Sequence, residues 1–203
     1  MQNQGKDLSS KQTIVIPVGD PAGIGTEITL KALSSKKLPK DMEALLIGCK
    51  QNINLTYAML KTKNKNPIAN PASYKIINIP YKDKIFFGKP TKETGNASFN
   101  YLTYATQLVL QKKARAIVTA PIAKHAWHSA GHFYSGQTER LAELAKIKNP
   151  SMLFTAISPK TGWRLNTLLA TTHIPLSDVP QSLNSEMIIS KLNTLLCFCE
   201  KFK

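Results

Sequence analysis

Short apolar, β-branched runs alternate with segments of helical period along this chain, and that alternation limits the fold more than any other feature of the sequence. Thr13-Ile-Val-Ile-Pro-Val18, Ala44 to Ile47, Tyr74 to Ile79, Ala116 to Ala120, Met152 to Ile157 and Leu165 to Thr171 read as strands. Helices are expected over Thr26 to Ser34, Gln51 to Leu60, Gly95 to Lys112, Thr138 to Lys146 and from about Pro180 to the end. The helix from Gly95 has the clearest pattern, because Phe99, Leu102, Ala105, Leu108 and Val109 recur on one face. Strand then helix, repeated, predicts an α/β fold with a largely parallel sheet. Residues 1–12 read as a polar tail and Lys61 to Pro67 as a loop without periodicity.

Composition narrows the function classes. The longest apolar runs fall far short of the roughly 20 residues of a membrane helix, and the polar opening lacks a cleavable signal pattern, so a cytoplasmic protein is expected. Cys49, Cys197 and Cys199 are spaced poorly for a zinc knuckle or a disulfide, which predicts reduced thiols. A net charge of +15 raises the question of nucleic acid. Against that, Arg115, Arg140 and Arg164 are the only arginines, and the lysines are scattered without interleaved aromatics. No specific nucleic-acid partner is expected; a diffuse lysine coat that attracts an anionic metabolite fits better.

Candidate chemistry sits where strands end, the position at which α/β sheets present ligands. Gly19-Asp-Pro-Ala-Gly-Ile-Gly25 joins the first strand to the first helix. Its spacing matches neither a dinucleotide fingerprint nor a phosphate loop, so an anion cradle and a bare tight turn both remain open. Lys124 follows the strand ending at Ala120, where a cation could meet a phosphate or carboxylate or simply stay solvated. Gly136-Gln-Thr-Glu139 begins a helix, with Gln137 and Thr138 able to donate hydrogen bonds and Glu139 suited to the first-turn dipole. His173 stands between a strand and Pro175, either as a metal ligand or as an incidental strand-end histidine. His125, His128 and His132 are spaced to share one exposed helix face.

Taken together, Gly19-Asp-Pro-Ala-Gly-Ile-Gly-Thr-Glu27, Thr119-Ala-Pro-Ile-Ala-Lys124, Ser135-Gly-Gln-Thr-Glu-Arg-Leu-Ala142 and Ala170-Thr-Thr-His-Ile-Pro-Leu-Ser-Asp-Val-Pro180 resemble the motifs of the 4-hydroxythreonine-4-phosphate dehydrogenase family, in order and spacing. The resemblance extends from about Thr13 to about Ile189 and implies an isocitrate/isopropylmalate dehydrogenase-like fold, with 13–203 forming its N-terminal portion. It implies an oxidoreductase of pyridoxal phosphate (vitamin B6) biosynthesis that oxidises and decarboxylates 4-phosphooxy-L-threonine. NAD or NADP and a divalent metal (zinc, magnesium or cobalt) would be its cofactors. Bound to the substrate hydroxyl, such a metal would lower its pKa and stabilise the enolate formed on decarboxylation; the nicotinamide would take the hydride.

Carried over by motif, His173 corresponds to one of three histidine metal ligands, and Gln137, Thr138 and Lys124 fall to substrate binding. The family's histidine at the position of Gln137 is replaced here, and glutamine cannot become cationic beside an anionic substrate, so weaker binding is expected. The segments that carry the other two metal histidines find no counterpart, and family members run well beyond this length. A C-terminally truncated enzyme is therefore expected, impaired when isolated, whose partners are a second copy in a homodimer or a separately encoded C-terminal half. Leu192, Leu195, Leu196 and Phe198 are a candidate exposed patch for such a partner. Alternatives are a dehydrogenase of phosphorylated four-carbon sugar acids and a metabolite-binding remnant without redox chemistry.

Overall fold

A computed structural model describes residues 11–35, 38–63, 66–81, 83–148 and 150–201. It divides into two compact units, the first ending at Ile147 and the second beginning at Lys148. The polar tail expected over 1–12 lies outside the described residues except at its last two positions, and Gln12 already belongs to a strand.

The first unit alternates strand and helix as the sequence predicts: β1 (Gln12–Pro17), α1 (Gly25–Ser34), β2 (Met42–Gly48), α2 (Lys50–Lys63), β3 (Lys75–Asn78), α3 (Lys92–Leu110), β4 (Ala116–Ile117), α4 (Lys124–Ser129) and α5 (Gln137–Leu144). Its sheet has the order β3-β2-β1-β4, every pairing parallel. β1 is flanked on both sides, with Val15 opposite Leu45 and Ile117, which explains its unbroken β-branched run. Val15, Val18, Leu30, Ile47, Ile53 and Tyr101 form the main core, where α3 covers one face of the sheet.

Local chemistry moves several boundaries. α3 starts at Lys92 rather than Gly95, because Thr91 and Thr94 form a reciprocal capping box. α2 runs on to Lys63, into the segment read as loop. The β4 ladder covers only Ala116 and Ile117, yet Val118 N–H and Ala120 N–H still donate to the Val15 and Pro17 carbonyls of β1, at 2.9 and 3.3 Å, so the edge strand follows β1 as far as Ala120. His125 and His128 lie on α4, whereas His132 lies beyond it, stacked 3.6 Å from the Phe99 ring centroid.

In the second unit, β5 (Leu153–Ile157) and β6 (Arg164–Leu168) pair antiparallel as a two-stranded ribbon and do not join the parallel sheet. A 3₁₀ turn (Leu176–Asp178), α6 (Val179–Ser182) and α7 (Ser185–Lys201) follow, so the last helix is broken around Leu183, which is extended. No described residue from 148 to 201 is buried. Among the described residues no helix is long and apolar enough to cross a membrane.

Candidate functional site

Two loops at the carboxyl ends of β1 and β4 form the floor of the site. Gly19 sits at φ +75°, and a Cβ there would lie 2.2 Å from the Pro121 carbonyl oxygen. At the start of α1, a Cβ on Gly25 would come 2.1 Å from the carbonyl oxygen of Val18. The glycines thus permit backbone to pass against backbone. The loop also consumes its own donors. Asp20 N–H donates to the Pro121 carbonyl (3.1 Å), Gly23 N–H to the Asp20 carbonyl (2.9 Å) and Ala22 N–H to the Asp20 carboxylate (2.8 Å). Of the two readings open in the sequence, these contacts favour the tight turn, since the three amides are not free to cradle an anion.

Asp20 is only 2% exposed. Its second carboxylate oxygen accepts from the Thr94 hydroxyl at 3.2 Å, tying the turn to the first turn of α3. Burial pushes the Asp20 carboxyl above its usual range, opposed by the Ala22 amide, the Thr94 hydroxyl and the nearby His125. Neither Asp20 nor Thr94 stands out by spacing. The available signal was an acidic residue in an otherwise apolar strand-to-helix turn, immediately before a proline.

Lys124 is the first residue of α4, and that short helix is mounted rigidly on α3. Trp127, wholly buried, donates from Nε1 to Ser98 Oγ at 2.8 Å and meets Phe99 edge to face. Gly95 allows the approach, because a Cβ there would fall 2.3 Å from the Ala126 carbonyl. Lys124 is exposed, and its Nζ lies 4.0 Å from the point where a Gly136 Cβ would stand.

α5 closes the arrangement. Gln137 donates from Nε2 to the Ala120 carbonyl at 3.2 Å, so this predicted substrate contact is also a strut between α5 and the β4 loop. Thr138 is exposed one position further on. Arg140 anchors the helix from behind: it reaches Thr103 and Glu143, and its guanidinium lies 4.5 Å from the Phe99 centroid. Lys124 therefore approaches the Gly136 backbone and Gln137 the Ala120 carbonyl, with the exposed Thr138 next to Gln137 along α5.

His173 belongs to the second unit, between β6 and the 3₁₀ turn. β6 ends at Leu168, so His173 stands five residues past the strand rather than directly after it. It is exposed, with φ +59°, a left-handed conformation uncommon for a residue with a side chain. Next to it in sequence, Thr171, Thr172 and Ile174 line a cleft of about 580 Å³ together with Lys148 and Lys191. Among the described residues no group of three His, Cys, Asp or Glu is placed to hold a metal ion. His173 thus offers one ligand where a protein site needs three or more, and the described residues do not by themselves fit a resident metal.

The family described as pyridoxal phosphate biosynthetic protein PdxA matches residues 27–203. A protein from Synechococcus sp. (strain RCC307), named 4-hydroxythreonine-4-phosphate dehydrogenase, is 49% identical over 190 residues, 94% of this chain and 57% of its own length. A Synechocystis relative of the same name is 42% identical over 97% of this chain and 57% of its own length. Among solved structures, 4-hydroxythreonine-4-phosphate dehydrogenase from Klebsiella pneumoniae superposes with a TM-score of 0.76 at 28% identity, over 96% of this chain and 60% of its own. The Burkholderia phymatum enzyme gives 0.75 at 27% identity, over 91% and 57%. The chain therefore spans somewhat over half the length of these relatives.

Proposed function

Because the chain belongs to the pyridoxal phosphate biosynthetic protein PdxA family, we propose that it supplies the N-terminal part of a cytoplasmic enzyme that oxidises 4-phosphooxy-L-threonine. NAD or NADP, when bound, would supply the hydride acceptor, and the β-keto acid product would lose carbon dioxide to leave an amino-ketone phosphate. One observation carries the reading: Lys124 and Gln137, on motifs matching this family, approach the Gly136 and Ala120 backbone at the carboxyl end of a parallel sheet, with Thr138 next along α5.

The residues of this chain bind and orient. Lys124 places a cation over the Gly136 backbone, where it meets an anionic group of the substrate. The exposed Thr138 hydroxyl donates a further hydrogen bond. Gln137 holds α5 against the β4 loop and adds no charge, so the substrate is held more weakly than it would be by a protonated histidine at this position. His173 contributes one metal ligand from the second unit. Its left-handed backbone is consistent with strain kept at a functional residue. The remaining ligands would come from residues outside this sequence, whether further along the same polypeptide, on a second copy or on a separately encoded C-terminal half. Leu192 and Leu196, both 58% exposed on α7, give such a partner an apolar surface.

Three measurements on the full chain test this. Calorimetric titration with 4-phosphooxy-L-threonine should detect binding that Lys124→Met and Thr138→Val weaken by about tenfold each, a loss of about 1.4 kcal/mol. Reduction of NAD(P) by the chain alone should be far below the usual enzyme range of 1–10³ per second, which is roughly its span. Zinc should bind the chain alone weakly or not at all, since His173 is a single ligand, and His173→Gly, which relieves the φ +59° backbone, should leave the fold no less stable. Substrate binding unaffected by both variants would overturn the assignment, and turnover in the ordinary range would overturn the expected impairment.

A further inference from the structure

We propose that the first unit also carries a binding site for oligophosphate anions, built at the amino-terminal end of its parallel sheet and independent of the dehydrogenase reading. A groove of about 510 Å³ lies there, and four basic residues, Lys11, Lys112, Lys113 and Arg115, are among the described residues that line it, with no acidic residue among them. Ion pairs among the described residues are Lys31–Glu27, Lys75–Glu43 and Arg140–Glu143, so none of the four groove cations is neutralised by one. Two described acids at this end are otherwise engaged. Glu43 accepts from the Thr13 hydroxyl and from Lys75, and feels Lys11 only at longer range. Asp41 meets the segment through its backbone carbonyl, which accepts from Gln12 N–H.

The scaffold beneath the cations is tightly held. The turn after α3 is closed by Lys112 N–H to Val109 and by Lys113 N–H to Leu108, both at 2.9 Å. Arg115 N–H donates to Thr13 at 2.8 Å, fastening the turn to β1. Lys112 occupies φ +59°, where glycine is the usual residue and a side chain costs about 1–2 kcal/mol. Retaining lysine there, beside Lys113, combines backbone strain with like-charge crowding, and a ligand carrying several negative charges relieves the second cost. One orthophosphate answers few of four cations; linked phosphates answer them together. The recognised feature is the phosphate chain, whether inorganic or the tail of a nucleotide.

The test is calorimetric titration of inorganic tripolyphosphate, ATP and orthophosphate into the full chain, at low ionic strength and again near about 0.15 M salt. Tripolyphosphate is expected to bind more tightly than orthophosphate, with affinity falling as salt rises. The variant Lys112→Gly/Lys113→Ser/Arg115→Gln should weaken it by about tenfold or more, with the melting temperature unchanged or higher because glycine suits position 112. ATP binding as tightly as tripolyphosphate identifies the phosphate chain alone as the recognised group, and tighter ATP binding adds a nucleoside contact; both support the site. A control variant, Lys84→Ser/Lys92→Ser/Lys160→Ser, removes equal charge elsewhere and should bind as the parent does. Equal losses in the two variants would assign binding to the overall charge of +15 and overturn the proposal. So would orthophosphate matching tripolyphosphate, or no binding at low salt.

Discussion

At the scale of single residues, the site rests on a carboxylate that does not face solvent. Asp20 is held by the Ala22 amide and the Thr94 hydroxyl, yet burial outweighs them and raises its pKa. An acid whose folded pKa exceeds its unfolded value binds more protons when folded, so its contribution to stability falls as pH rises between the two values. Above that window the protein carries the full cost of a buried charge. Asp20→Asn keeps an oxygen for the Ala22 amide and removes the charge. Relative to the parent, its melting temperature should therefore be higher near pH 7 than near pH 4, values that lie roughly on either side of the carboxylate range. A difference that is flat with pH, measured by thermal unfolding at both values, would show that Asp20 is not strained by burial. The same residue marks a limit of sequence reading. Lys124, Gln137 and Thr138 were legible because a motif places them at strand and helix ends. Asp20 was not, since its role depends on Thr94, a residue 74 positions away.

Among the elements, α3 organises the first unit, and its apolar face was legible from period alone. Its start was not, because the cap is a Thr91–Thr94 pair rather than the usual threonine and glutamate. α4 was legible only through the spacing of its histidines, because its six residues are too few to show an apolar period. Packing creates it: Trp127 fills the space between α4 and α3, and Gly95 lets the backbones approach. Trp127→Ala should cost about 3–5 kcal/mol, and Gly95→Ala about 1–3 kcal/mol from overpacking. Both changes should also weaken substrate binding by releasing Lys124, although neither residue is proposed to touch substrate. Denaturant unfolding combined with calorimetry checks the pair. Lost stability with unchanged binding would mean that α4 does not position Lys124.

For the molecule as a whole, the two units differ in how well they can support themselves. The first encloses a core that includes Val15, Leu30, Ile47 and Tyr101, as strand–helix alternation led one to expect. The second shares the same apolar patterning in sequence, but apolar patterning records what a segment is able to bury, not whether a neighbour is present to bury it. Phe154, Ile157 and Trp163 are each more than half exposed, and so are Ile189, Leu192 and Leu196 on α7. A two-stranded ribbon is marginal alone, and a 17-residue helix without a buried face gains little beyond its intrinsic propensity. Opening free energies in this unit should therefore lie near the bottom of the native range, while those of β1 and α3 approach global stability. Native-state amide exchange reads this directly. Amides of β5, β6 and α7 should exchange much faster than those of β1, β2 and α3. Adding a polypeptide that covers α7 should slow the first set and leave the second unchanged. Protection of α7 equal to that of α3 in the isolated chain would mean that the second unit is stable as it stands, and the case for a partner on that face would fall.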